Sequence, residues 1–199
     1  MAPSIILASE SMVRRRLLDQ AGITYTAQSS GVDETPIKKS CQEQNLSASD
    51  TAERLAEAKA QSVSRLHPDA LVIGADQMLD HEGRWFDKPT DIDNARRHLI
   101  ALRGRTHHLV SATVVLEAGQ CVWKHQETID MKMRALSDTF IEDYLSQVGA
   151  SAFISVGAYQ LEGLGAQLFE DVDGDYFSIL GLPLLPLLGF LRQREAIGA

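Results

Sequence analysis

The chain has 199 residues, 44% of them hydrophobic and 23% charged, a balance that suits a globular protein with one sizeable core or two joined lobes. Its 19 basic and 27 acidic residues leave a formal net charge of −8, which argues against a general grip on DNA or RNA backbones. Cys41 and Cys121 form no metal spacing and no disulfide framework, and the apolar run over residues 179–191 is too short for a bilayer and broken by Pro183 and Pro186.

Residues 4–18 read as a short apolar strand, a serine-bearing turn, and a helix with arginines in its first turns. Open backbone N–H groups and the helix dipole make such a junction a place for a phosphate, and Ser9 and Ser11 can add hydroxyl donors. Arg14 lies in the middle of the apolar face set by Leu17, Leu18 and Ala21, whereas Arg16 falls on the opposite side. An inward guanidinium needs an anionic partner. From this stretch alone the partner is either an internal carboxylate or a bound ligand. Nothing at the N-terminus reads as a secretion leader, so a cytoplasmic location is expected.

Gly22 is a candidate C-cap, and residues 23–28 are predicted as a strand. Residues 29–49 are polar, contain Pro36, and read as a long loop carrying the adjacent carboxylates Asp33 and Glu34. Residues 50–66 form the clearest helix, with Asp50 as cap and Glu53 in a box-like position. Lys59 lies on its apolar stripe, where it either snorkels outward or reaches a buried anion. The apolar run 70–75 predicts a strand buried on both faces, ending in Asp76-Gln77, where α/β sheets place their chemistry. A structural aspartate capping the next turn is the alternative. Residues 78–86 read as a hairpin around Gly83, and Lys88-Pro89 leads into a helix over 91–102.

Residues 106–117 and 121–134 are predicted as a long antiparallel hairpin, in which adjacent His107 and His108 face opposite sides and cannot pair on a metal. Ser137 caps a helix that runs to residue 148. Residues 153–166 are dense in glycine but carry neither a dinucleotide fingerprint nor a P-loop. The acidic run 171–175 has glycine at the fourth place of a would-be calcium loop and Leu182 at the twelfth, so it reads as a tight turn before the last helix. That leucine-rich helix, from Pro183 on, is core or subunit interface. Strands alternating with helices, with one antiparallel hairpin, predict a mixed α/β sheet in a single domain over 1–199.

Three charges remain at inward or strand-end positions: Arg14, Lys59 and Asp76, with Lys88 and Glu34 as further candidates. Carboxylates that hold a divalent cation, with cations that offset the remaining charge, suit a bound polyphosphate. The combination points to phosphoanhydride chemistry.

The residues Leu7-Ala-Ser-Glu-Ser11, Arg14-Arg15, Val32-Asp-Glu34, Ala58-Lys-Ala60, Ile73-Gly-Ala-Asp76 and Lys88-Pro89 resemble the Maf family of nucleotide pyrophosphatases. Leu102–His107, Gly157-Ala-Tyr159, Glu162-Gly163, Gly174-Asp-Tyr176 and Gly181-Leu-Pro183 extend the match, in order, along nearly the whole chain. The resemblance implies an inosine-triphosphatase-like fold, with a mixed sheet flanked by helices and two lobes around a cleft, usually as a homodimer. It implies hydrolysis of nucleoside triphosphates to monophosphate and pyrophosphate with a divalent cation, Mg2+ or Mn2+, as a means of removing non-standard nucleotides. The family is also linked to septum formation, so a nucleotide-sensing regulator of division is the competing class. By motif, Asp76 would accept a proton or orient the attacking water, with positioning the firmer role. Glu34 and Asp76 would hold the metal, and Ser9, Ser11, Arg14, Lys59 and Lys88 would grip the phosphates. Members acting on dTTP and UTP carry threonine and glutamine where this chain has Gln77 and Glu162, a pairing that resembles the 7-methyl-GTP subgroup. At the third specificity position Val13 replaces the arginine of the first subgroup and the tryptophan common in the second.

Overall fold

The two most apolar runs of the N-terminal half pair with each other. In the computed structural model, which describes residues 3–198, β1 (Ser4–Leu7) lies parallel to β3 (Ala70–His81), with Ser4 opposite Ala70 and Leu7 opposite Ile73. The short β2 (Thr26–Ala27) flanks β1, again in parallel. Parallel neighbours need long crossovers. These are supplied by α1 (Met12–Gln20), α2 (Glu34–Glu43) and α3 (Ala48–Ser64). Strand β3 then turns through Glu82-Gly83 into β4 (Arg84–Phe86), antiparallel to it. With β5 (Thr106–Glu117), β6 (Gln120–Met133) and β7 (Phe169–Asp173) the sheet order is β2-β1-β3-β5-β6-β7, with β4 beside β3. The expected mixed sheet flanked by helices is therefore present.

The chain resolves into two compact units, Met1–Gln77 with Ser111–Glu127 and Asp175–Ala199, and Met78–Val110 with Thr128–Gly174. In the first, Leu7, Ile73 and Ala75 on one face of the sheet meet Leu18 of α1 and Leu187 and Leu191 of α7 (Leu184–Gln193). The C-terminal leucine-rich helix is thus mainly core, although Leu185 is exposed. In the second unit α4 (Ile92–Leu102) packs against α5 (Asp138–Val148), and fully buried His107 bonds Tyr159 Oη through Nε2 at 2.7 Å. His108 points the other way and is exposed, bonded to Asp130.

Four expectations change. Residues 29–49 are not one loop, because Asp33 caps α2 by accepting from the Thr35 amide. Pro36 then falls in the first helical turn, where its missing N–H costs nothing. Helix α3 starts earlier than its acidic residues suggest: Ser47 is the N-cap, in a capping box with Asp50. The strand expected over 23–28 shrinks to two residues. Asp76 is not at a strand's carboxyl end, since β3 continues to His81. What ends there is its parallel neighbour: β1 stops opposite Ile73, and Ala8 N donates to the Ile73 carbonyl as the chain leaves the sheet for α1. Among the described residues, no helix is long and apolar enough to cross a membrane.

Candidate active site

Helix α3 comes unusually close to β3 because both surfaces are nearly bare. A Cβ at Gly74 would stand 2.1 Å from the Ala56 carbonyl oxygen and 2.8 Å from Ala60 Cβ. An isolated glycine in an apolar strand marks such an approach. Side chains alternate along a strand, so Asp76 shares Gly74's face, while Lys59 lies one helical turn on from Ala56. The close contact brings Lys59 Nζ to 2.5 Å from Asp76 Oδ1 and 2.6 Å from Glu34 Oε1. Glu34 arrives from the first turn of α2 and also meets Lys38 at 3.3 Å. Lys59 and Asp76 are 9% and 5% exposed, too buried for either charge to stand without the other. Lys59 thus reaches anions and does not snorkel.

The two carboxylates are driven apart in pKa. Burial raises that of Asp76; Lys59 opposes this, and the Glu34 charge adds to it. Burial also pushes Glu34 upward, but Lys59 and then Lys38 outweigh it, so its net shift is down. At such a pair the group held ionised and the group drawn toward neutrality take different chemical roles.

Arg14 enters from α1. Its Nε donates to the Gly181 carbonyl at 2.7 Å and its Nη1 to Ser9 Oγ at 3.4 Å. Burial lowers its pKa, and the charges of Asp76 and Glu34 oppose that shift. The inward guanidinium therefore has both an internal anionic field and N–H groups left for a ligand. Ser11 is the N-cap of α1, its Oγ accepting from Arg14 N, and buried Ser9 accepts from Ser11 N. Both serine oxygens act as acceptors toward the chain, which leaves their O–H groups free to donate outward.

Gln77 follows Asp76 on the strand and so faces the other side of the sheet. Its Nε2 donates to Ser111 Oγ and to the main-chain carbonyls of Ser178 and Ile179, at 2.9 to 3.0 Å. Ser111 in turn donates to the Ser178 carbonyl at 2.6 Å. Two carbonyls and a hydroxyl with its hydrogen already committed can only face an NH2 group, so the carboxamide has one orientation and Oε1 is turned away from them. Val13 is half-buried on α1. Ser9, Ser11, Val13, Arg14, Glu34, Lys59, Asp76 and Gln77 all belong to the first unit; Lys88 and Glu162 belong to the second, where both are exposed in irregular segments. Spacing arguments missed Ser111 and Ser178, which are fully buried serines in apolar surroundings and carry no local signal.

Two carboxylates converging on one cation fit a divalent ion that completes its shell with phosphate oxygens and waters. Among the described residues no three His, Cys, Asp or Glu side chains converge, so the chain offers no closed protein cage for a metal.

The sequence model described as Maf-like protein matches residues 4–194. A nucleoside triphosphate pyrophosphatase of Granulibacter bethesdensis is 50% identical over 193 residues, covering 97% of this chain and 98% of that protein. A 7-methyl-GTP pyrophosphatase of Rhizobium meliloti is 49% identical over 199 residues, covering 100% of each. A solved structure described as a nucleoside-triphosphatase, dITP/XTP pyrophosphatase, from Mycobacterium abscessus aligns over 97% of this chain and 95% of that one at 16% identity and a TM-score of 0.44, too loose a likeness to carry an argument. With a family match spanning both compact units and relatives alike end to end, the chain belongs to the Maf family.

Proposed function

We propose that the protein is a cytoplasmic nucleoside triphosphate pyrophosphatase, working as a homodimer, with preference for guanine-type bases such as that of 7-methyl-GTP. The observation that carries this reading is the buried Asp76–Lys59–Glu34 cluster beside the cationic start of α1. Water attacks the α-phosphorus; the new P–O bond forms as the bond to the β-phosphate oxygen breaks, and pyrophosphate leaves. Asp76, with its pKa raised by burial, orients that water and accepts its proton. The raised value gives proton acceptance more weight than the residue type alone does. Arg14, Lys59 and the hydroxyls of Ser9 and Ser11 bind phosphoryl oxygens and stabilise the charge that builds on them. Glu34 and Asp76 would hold Mg2+ or Mn2+, whose charge offsets that of the triphosphate.

For the base, Gln77 Oε1 is an acceptor fixed in place by the partners of its amide nitrogen. Guanine presents N1–H and N2–H donors to such a group, an edge that 7-methylation makes more electropositive. Uracil and thymine present O2 and O4 on either side of a single N–H, and those oxygens meet acceptors unfavourably. Val13 supplies apolar contact in place of a stacking ring. Several relatives bear the name 7-methyl-GTP pyrophosphatase, which favours this reading. The test is pyrophosphate release with Mg2+ or Mn2+ over 7-methyl-GTP, GTP, dTTP, UTP and CTP. Absence of turnover on all five rejects the enzyme, and preference for dTTP rejects the base assignment. Asp76→Asn is expected to lower kcat by a factor on the order of 10² to 10⁴, beyond what its loss of stability explains, since buried Lys59 then keeps only Glu34 as an ionic partner.

A further inference from the structure

Arg14 carries the phosphate-binding role only if its guanidinium is held in one place, and the side chain that would normally do this is absent. No carboxylate forms an ion pair with Arg14 among the described residues; the nearest strong acceptor is the main-chain carbonyl of Gly181, 2.7 Å from Nε. That carbonyl stands at the end of a short element built for display. Asp175 caps α6 (Tyr176–Ile179) by accepting from Ser178 N at 2.7 Å and Ser178 Oγ at 3.0 Å. The carbonyls at the C-terminal end of a helix lack internal partners. Here those of Ser178 and Ile179 take the Gln77 amide, and Gly181 just beyond takes Arg14.

Residue 181 is glycine for two reasons that coincide. Its φ is +89°, in the region that side chains disfavour, and a Cβ there would lie 3.3 Å from Arg14 Nη2 and 3.4 Å from Nε. A methyl group would press on the guanidinium itself, and the planar fork would have to shift by a few tenths of an ångström, away from its bond to the Gly181 carbonyl, to relieve the contact. We propose that Gly181 is a positioning residue for the reaction: its carbonyl orients Arg14 through Nε, its missing side chain leaves the guanidinium room, and the Nη edge is thereby presented to the phosphates. This rests on the pyrophosphatase reading above, in which Arg14 binds substrate.

The experiment is a double-mutant cycle on the full-length protein, with 7-methyl-GTP and UTP as substrates and the thermal transition measured in parallel. Gly181→Ala is expected to lower kcat/KM about ten- to a hundredfold, the scale of one displaced charged hydrogen bond. Arg14→Ala is expected to lower it at least as far. In the Arg14→Ala background, Gly181→Ala then causes no further loss, because the group it displaces is gone. The ratio of rates on 7-methyl-GTP and UTP stays unchanged in Gly181→Ala, since Gln77 keeps its own carbonyls. Losses that multiply across the cycle overturn the proposal, as does full activity of the single variant. Gly181→Asn separates backbone strain from crowding of Arg14, because asparagine tolerates positive φ yet carries a Cβ. Activity lost as in the alanine variant supports the proposal, and recovery to the wild-type rate overturns it. The asparagine variant also stands in if the alanine variant fails to fold. A wild-type protein without turnover is a different result, and rejects the enzyme reading on which the cycle depends.

Discussion

Lys59 Nζ stands 2.5 Å from Asp76 Oδ1, a buried ion pair joining a helix and a strand that touch almost backbone to backbone. Its second carboxylate, Glu34, is partly open to solvent, so the lysine is held between one buried anion and one accessible anion. Removing the ammonium leaves Asp76 as an uncompensated charge in a dry site. Lys59→Met is expected to destabilise the protein by about 3–5 kcal/mol at neutral pH. Without the cation the pKa of Asp76 climbs further, so the loss shrinks as the medium is acidified and the carboxyl takes up a proton. Urea titrations at pH 7 and pH 5 measure this, and an equal loss at both values argues against a buried charge as the cause.

The opposite shifts of the two carboxylates give the pH–rate profile a signature. Asp76 must be ionised to accept a proton, and its pKa lies above the ordinary 3.8, so the acid limb of kcat/KM lies above that value. The Glu34 charge is one of the causes of the elevation. Glu34→Gln is therefore expected to move the limb to lower pH even as it reduces the rate. A limb that stays fixed, or moves up, removes Asp76 as the titrating base.

Gly74 sets how near α3 can come to β3. Gly74→Ala places a methyl group against the Ala56 carbonyl and Ala60, both of which are anchored in the helix. The strain is expected to cost about 1–3 kcal/mol and to pull Lys59 away from Asp76, so activity falls with stability. Gly189→Ala is the control: nothing lies within 4 Å of the added atom in α7, and helix propensity favours the change by up to about 1 kcal/mol. Thermal melts with rates on the same preparations separate the two.

His107 predicts an acid weakness in the second unit. Burial first, then the charges of His81 and His108, lower its pKa from 6.5 to about 3. A base whose folded pKa is depressed favours the folded state above its unfolded value and loses that contribution as pH falls below 6.5 toward 3. Wild-type stability should decline over this range, with a slope of up to about 1.4 kcal/mol per pH unit from this residue. His107→Gln retains a group able to bond the Tyr159 hydroxyl but removes the titration, and should flatten the decline. Unchanged slopes in acid denaturation series would sink the assignment.

Much of the cluster was legible because helical phase exposes a misplaced charge. Arg14 and Lys59 each interrupt an apolar stripe, and each proves to face charged or polar partners. Asp76 was marked by the apolar run before it. Glu34 was harder: α2 has a single buried residue, Cys41, so its stripe is too thin to announce a helix, and Pro36 reads as a breaker until Asp33 is seen to cap the turn before it. The restraint on Gln77 was out of reach altogether. Its partners lie 34, 101 and 102 residues away, and two of its three contacts are to peptide carbonyls, which leave no trace in side-chain pattern.

Those carbonyls have a consequence for how the protein can drift over generations. A peptide oxygen is written by no codon: it persists whatever amino acid stands at 178, 179 or 181. The acceptors that hold Gln77 and Arg14 are therefore shielded from point mutation in a way the Lys59–Asp76 pair is not. Only the path of the backbone through Asp175–Gly181 is exposed to selection, through the Asp175 cap at one end and the bare α-carbon at the other. A substitution survey across this turn should find intolerance at its two ends, Asp175 and Gly181.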